Sequence, residues 1–155
     1  MLTAEERAAI AGMIAQAAAP RAACTDVLRY IQAQRRYVSD ALLAQAAGLL
    51  GMPVAALDEV ATFYNLIFRR PVGERVLFLC DSVTCWMLGQ PDLQAHLFRR
   101  LGIKPGETSA DGKITLLPIV CLGHCDHAPA MLLGDALHGD VTCATLDALL
   151  CLEPV

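Results

Sequence analysis

A chain of 155 residues has room for one domain or two small ones, and its formal net charge of −4 disfavours nucleic acid or an anionic membrane as a partner. Hydrophobic residues supply 55% of it and charged residues 18%, more apolar than an ordinary soluble domain, which implies surface covered by partner subunits. Seven cysteines, an odd number beside an acidic rather than basic N-terminus, read as metal ligands plus free thiols and exclude a disulfide framework.

Residues 1 to about 66 read as helices. Thr3-Ala-Glu-Glu6 is a capping box, after which Ile10, Met13, Ile14 and Ala17 form one apolar face, and Pro20 is expected to end that helix. A second helix carries Cys24, Val27, Leu28 and Ile31 on one side. A third starts from a Ser39 cap, shows Leu42, Leu43, Ala46, Ala47, Leu49 and Leu50, and stops at Gly51. A fourth begins near Pro53 with Leu57, Val60 and Tyr64 as its stripe. Ala47, Gly51, Leu57 and Val60 also sit where a helix-turn-helix places its small, turn and core residues. Residues 39–60 hold no Lys or Arg, so a small bundle with a tight interhelical turn is the better reading and no nucleic acid is expected. The longest uncharged run, Ala41 to Leu57, is interrupted by Gly48, Gly51 and Pro53, so no membrane insertion is expected and the chain is placed in the cytoplasm.

The turn-rich stretch Arg69-Arg-Pro-Val-Gly73 is the joint between a helical bundle, 1–72, and a mixed unit, 73–155. A strand from Arg75 to Cys80 leads through Asp81-Ser-Val-Thr to Cys85, then into a helix with Leu93, Leu97 and Leu101 at spacing four, ended by Gly102. Asp111-Gly112 marks a hairpin turn between 108–110 and 113–118. The second arm continues as a strand-like run to Cys121, with Cys125 in the glycine-containing loop that follows. A short strand near Ala130–Leu133, a turn at Gly134-Asp135 and a final helix near 143–151 complete the unit. The fold class is therefore α+β or α/β. Cys24, Cys143 and Cys151 fall in apolar helical patterns and are expected to be core thiols.

The pairs Cys80-x4-Cys85 and Cys121-x3-Cys125 follow two strands and converge if those strands are neighbours. Four convergent thiolates hold a metal or an iron–sulfur cluster. Zinc knuckles favour C-x2-C and a thioredoxin-like dithiol needs C-x-x-C; neither is present. The wider spacings suit a [2Fe–2S] cluster, with a zinc-stabilised structural adaptor, or no shared site, as the alternatives. A Rieske reading through His124 and His127 leaves Cys80 and Cys85 unexplained, so the histidines read as loop residues near the ligands. Leu122-Gly123 and the start of the helix after Cys85 are the candidate sources of N–H groups aimed at sulfur. Asp126 either adds negative charge beside the site or faces solvent, and Trp86 and Met87 read as packing or interface residues. Arg35-Arg36, Arg69-Arg70 and Arg99-Arg100 read as solvated or subunit-contacting charges. There is no G-x-G-x-x-G fingerprint and no P-loop, so the chain is expected to carry electrons without a catalytic site of its own.

Glu59-Val-Ala-Thr-Phe-Tyr64, Cys80-Asp-Ser-Val-Thr-Cys85 and Leu116-Leu-Pro-Ile-Val-Cys-Leu-Gly-His-Cys-Asp-His-Ala-Pro129 resemble the family of E-type subunits of bacterial NADH:quinone oxidoreductase (respiratory complex I). Phe68-Arg-Arg-Pro-Val-Gly73 and the run from Leu101 to Pro118 extend the likeness over nearly the whole chain. The resemblance implies a helical bundle followed by a thioredoxin-like [2Fe–2S] ferredoxin domain, with Cys80, Cys85, Cys121 and Cys125 as the cluster ligands. It further implies a place in the peripheral arm beside the FMN- and NADH-binding F-type subunit, exchanging single electrons with its FMN. Related subunits serve soluble NAD-linked formate dehydrogenases and hydrogenases, which stand as the alternative parent complexes.

Overall fold

The computed structural model describes residues 1–151. The chain packs as two compact units, Met1–Pro71 and a second from Val72 onward; the last four positions of the expected 73–155 unit lie outside the described residues.

The first unit holds helices α1 (Ala4–Gln16), α2 (Cys24–Arg35), α3 (Asp40–Leu50) and α4 (Val54–Phe63). Thr3 caps α1 reciprocally: the Glu6 amide donates to the Thr3 hydroxyl at 3.1 Å and the Thr3 amide to the Glu6 carboxylate at 2.7 Å. The helix ends at Gln16, short of Pro20, which instead opens a single 3₁₀ turn, Pro20–Ala23. Proline suits such a first turn because its missing N–H would be unpaired there anyway. Ile10, Val27, Leu28, Ile31, Leu43, Ala46, Ala47 and Leu57 interlock as the core. Gly51 at φ 64° ends α3 in the left-handed region, and α3 and α4 meet at 114°. Ala61 rather than Tyr64 is the second buried position of α4, because the helix stops at Phe63 and Tyr64 turns outward. Among the described residues no single helix is long and apolar enough to cross a membrane.

In the arginine doublets Arg35, Arg36, Arg70 and Arg99 are exposed, as expected of solvated charges, while Arg69 and Arg100 are partly buried. Arg69 bonds Asp58 at 2.8 Å and Asp40 at 2.7 Å and donates to the Val38 carbonyl, so it ties the start of α3 to α4. Arg35 forks onto Glu6 at 3.1 and 2.9 Å, joining α2 to α1. The Arg35 hydrogen bond, with the Thr3 amide, holds the Glu6 carboxyl below its ordinary 4.5. A depressed carboxylate contributes stability that is present above the unfolded value and lost as pH falls through the folded one. Glu6→Gln is therefore expected to flatten the fall of Tm between about pH 5 and pH 3. A slope in that variant equal to the parent's would show that this pair has no part in acid unfolding.

The second unit holds β1 (Arg75–Cys80), α5 (Val83–Met87), α6 (Gln90–Leu101), β2 (Ile114–Ile119), β3 (Met131–Leu133), β4 (Ala136–His138) and α7 (Cys143–Leu150). The sheet order is β2-β1-β3-β4. β1 is parallel to β2, with Cys80 opposite Ile119, and antiparallel to β3. A parallel pair needs a crossover, and α5 and α6 supply it. Val76 through Cys80 are all buried, as befits a central strand. Leu77 and Leu79 face Leu93, Leu97, Leu116, Met131 and Leu146 in the core. Asp147 of α7 meets His96 at 2.8 Å and Arg100 at 3.4 Å on α6.

Four local expectations are corrected. The helix near Cys85 starts at Val83, so Cys85 lies inside it, and a second helix follows. The hairpin arm at 108–110 shrinks to one bridge, Thr108 to Thr115, beside which the Ser109 amide donates to the Ile114 carbonyl at 2.8 Å and the Ser109 hydroxyl accepts from the Ile114 amide at 3.0 Å. The turn at Gly134-Asp135 leads into a further strand, β4, with Leu132 paired to Leu137. Of the three cysteines outside the two spaced pairs only Cys24 is buried; α7 turns Leu146 and Leu150 inward, leaving Cys143 partly covered and Cys151 exposed beyond the helix end.

Candidate metal centre

Parallel pairing puts the C-terminal ends of β1 and β2 at one edge of the sheet, and both cysteine loops leave from that edge. Cys80 is the last residue of β1 and Cys85 lies within α5. Cys121 follows the end of β2, and Cys125 opens a 3₁₀ turn, Cys125–His127. β3 runs the other way, so its start reaches the same edge, where the Cys80 amide donates to the Ala130 carbonyl at 3.1 Å.

The sulfurs fall into two pairs of unlike exposure. Cys80 and Cys85 are each 1% exposed, whereas Cys121 and Cys125 are open to solvent. Cys121 Sγ and Cys125 Sγ stand 3.9 Å apart. Two sulfurs at about 2.3 Å from one tetrahedral metal stand roughly 3.8 Å apart, so this pair has the spacing of co-ligands. Cys80 and Cys85 share a hydrogen bond, and Cys85 is near enough for its charge to act on Cys125. The Leu122 amide donates to Cys80 and the Gly123 amide to Cys121 at 3.3 Å. Both donors come from the Leu122-Gly123 step, and Gly123 adopts φ 74°, a conformation that a side chain would strain.

Burial pushes the Cys80 thiol up, but hydrogen bonds from the Ser82 hydroxyl, the Leu122 and Ser82 amides and Cys85 outweigh it, and Cys80 ends below the usual thiol value. Burial raises Cys85, helped by the adjacent Cys80 and opposed by the Ala130 amide and the Ser82 hydroxyl. Cys125 is raised by its hydrogen bond to Cys121 and by that neighbour's charge.

The histidines serve the loop. His127 Nδ1 lies 2.8 Å from Asp140, and that hydrogen bond, with Asp126 nearby, raises His127. Asp126 stands 3.6 Å from His127 and 3.8 Å from His124, so its charge is shared with imidazoles. Gly139 leaves room for this packing: a Cβ there would come within 2.5 Å of His127 Cβ and 2.7 Å of His124 Nε2. The sequence carried no signal for Gly139. It did carry one for Ser82 and Thr84, hydroxyl residues inside the first cysteine loop, which meet Cys80 and Cys125 respectively.

Among the described residues no group of three or more His, Cys, Asp or Glu side chains is arranged to hold a single metal ion. All-sulfur donors and amide N–H groups aimed at sulfur fit an anionic iron–sulfur cluster. Next to the site the surface is apolar: Val83, Trp86, Met87 and Val120 are exposed. A groove of about 590 Å³ beside it is lined by residues including Asp81, Trp86, Gln90, Phe98 and Lys104.

Residues 10–152 match the sequence model of the thioredoxin-like [2Fe-2S] ferredoxins. The E-type subunit of the NADH-quinone oxidoreductase of Escherichia coli is 43% identical over 149 residues, 96% of this chain and 90% of that protein. Its counterpart in Pseudomonas aeruginosa is 44% identical over 79% of this chain and 74% of that protein. An E-type subunit of Rhizobium meliloti is 41% identical over 84% and 77%. Among solved structures, an NAD+-reducing [NiFe]-hydrogenase in the H2-reduced state superposes with a TM-score of 0.68 at 25% identity, covering 82% of this chain and 22% of that one. With the paired cysteines at one sheet edge, these likenesses establish that the chain belongs to the thioredoxin-like [2Fe–2S] ferredoxin family, alongside the E-type subunits of NADH-quinone oxidoreductases.

Proposed function

We propose that this chain is the electron-carrier subunit of an NADH:quinone oxidoreductase, with Cys80, Cys85, Cys121 and Cys125 as the ligands of one [2Fe–2S] cluster. The observation that carries the reading is the two-plus-two arrangement of sulfurs at one sheet edge, with Cys121 and Cys125 3.9 Å apart and backbone amides turned toward Cys80 and Cys121. Such a cluster supplies one-electron transfer, taking up and releasing a single electron. Cys80 and Cys85 bind from the buried side and exclude water there; Cys121 and Cys125 bind from the solvent side. Amides of Leu122, Gly123 and Ala130 counter the added negative charge.

The cluster belongs to the domain of 73–155, which carries all four of these cysteines and follows the helical bundle of 1–72. The proposed partner is the FMN- and NADH-binding F-type subunit, on the cytoplasmic side of the complex. Support comes from the exposed Trp86, Met87 and Val83 beside a ligand, since apolar surface of that kind marks an interaction site. The hydrogenase likeness keeps a soluble NAD-linked hydrogenase or formate dehydrogenase as the second parent complex.

Anaerobic purification with iron and zinc quantification, followed by EPR after dithionite reduction, tests the reading. The expected result is about two irons per chain and an S = ½ signal. One zinc, no iron and no signal after reconstitution would leave a structural adaptor instead.

A further inference from the structure

Ser82 occupies the N-cap position of α5, where serine ordinarily accepts a backbone N–H, yet its side chain makes no capping bond. Its Oγ lies 3.5 Å from Cys80 Sγ instead. Along this loop Asp81 and Val83 are exposed while Ser82 and Thr84 are half-buried, so the two hydroxyl residues face inward. With Cys80 1% exposed, water contributes little to solvating its sulfur. As a free thiol Cys80 donates to Ser82; as a metal-bound thiolate it has no proton, and the Ser82 hydroxyl, which also meets Cys85, becomes the donor to this buried pair. Cys85, once a ligand, likewise has no proton to give. Ser82 then offers the one removable side-chain donor among the groups bonded to Cys80, the others being the amides of Ser82 and Leu122.

We propose that Ser82 is a positioning residue that sets the electron affinity of the centre through its hydroxyl bond to Cys80. The inference rests on the cluster reading above. An added electron increases negative charge on the sulfurs without making or breaking a bond, and a donor at sulfur stabilises the reduced form more than the oxidised one. Thr84 bonds Cys125 in the same way, but that sulfur is exposed and water can replace the lost donor. The two positions are thus expected to differ in effect.

The test is an EPR-monitored redox titration, with dithionite as electron source, on the loaded full chain and on S82A, S82T and T84V. Each sample carries an iron count. The expected result is a tenfold loss in the one-electron reduction equilibrium for S82A, equivalent to about 59 mV downward. S82T should keep the parent potential and T84V should shift less than S82A. Two irons in S82A at the parent potential overturn the proposal. If S82A loses its iron, S82T decides: two irons at the parent potential support the proposal, and a tenfold change in its reduction equilibrium overturns it. A parent chain without iron defeats the cluster reading itself, and the proposal with it.

Discussion

Cys85→Ala is expected to abolish iron binding, from about two irons per chain to below about 0.2. Cys85 is 1% exposed and sits inside α5, so solvent has no path to take its place at that corner. Cys151→Ala is the matched control, because that thiol is exposed beyond the end of α7 and should leave iron and colour unchanged. Iron analysis and visible absorption read both variants after the same anaerobic reconstitution. Two irons retained in Cys85→Ala would remove this residue from the ligand set and reopen the choice among the seven cysteines.

The second large effect is on stability. Leu77 is wholly buried in the central strand and packs against the face that α6 and α7 cover. Leu77→Ala should cost about 2–5 kcal/mol through lost transfer energy and the cavity left behind. Set against a typical total of about 5–15 kcal/mol, that is a large fraction. The chain has one tryptophan, Trp86, which lies in the same unit. Its fluorescence in a denaturant titration therefore reports this unit without averaging in the helical one. Val83→Ala, 72% exposed, should stay within about 0.5 kcal/mol of the parent. A loss below about 1 kcal/mol for Leu77→Ala would mean that the sheet face is far more loosely packed than its burial indicates.

The elements that could be read from the sequence are those whose pattern is dictated locally. The Thr3–Glu6 box, the Ser39 cap, the Gly51 stop and the run from Arg75 to Cys80 each carry their own signal and form as expected. Misreadings arise where a distant group decides. Tyr64 has the right spacing for a stripe, but the helix ends one residue before it. Arg69 looks like a free surface charge until Asp40 and Asp58 are brought to it. β4 is a three-residue strand that exists because β3 pairs with it. At the site the cysteine spacing was legible. The unlike burial of the two pairs, the Ala130 amide at Cys85 and the space kept by Gly139 were not, because all three depend on β3 and the loop after β4 returning to the ends of β1 and β2.

The parallel register of β1 and β2 has one more consequence. A hairpin would bring its two arms together within a few residues, but this pair meets only after the intervening crossover has wrapped round the sheet. Until then the chain offers a metal two half-sites, each local and each incomplete. Non-local closure of this kind is the slow part of folding. The two cysteine pairs therefore become one site only when β1 and β2 have paired, and a cluster that needs all four depends on that late step.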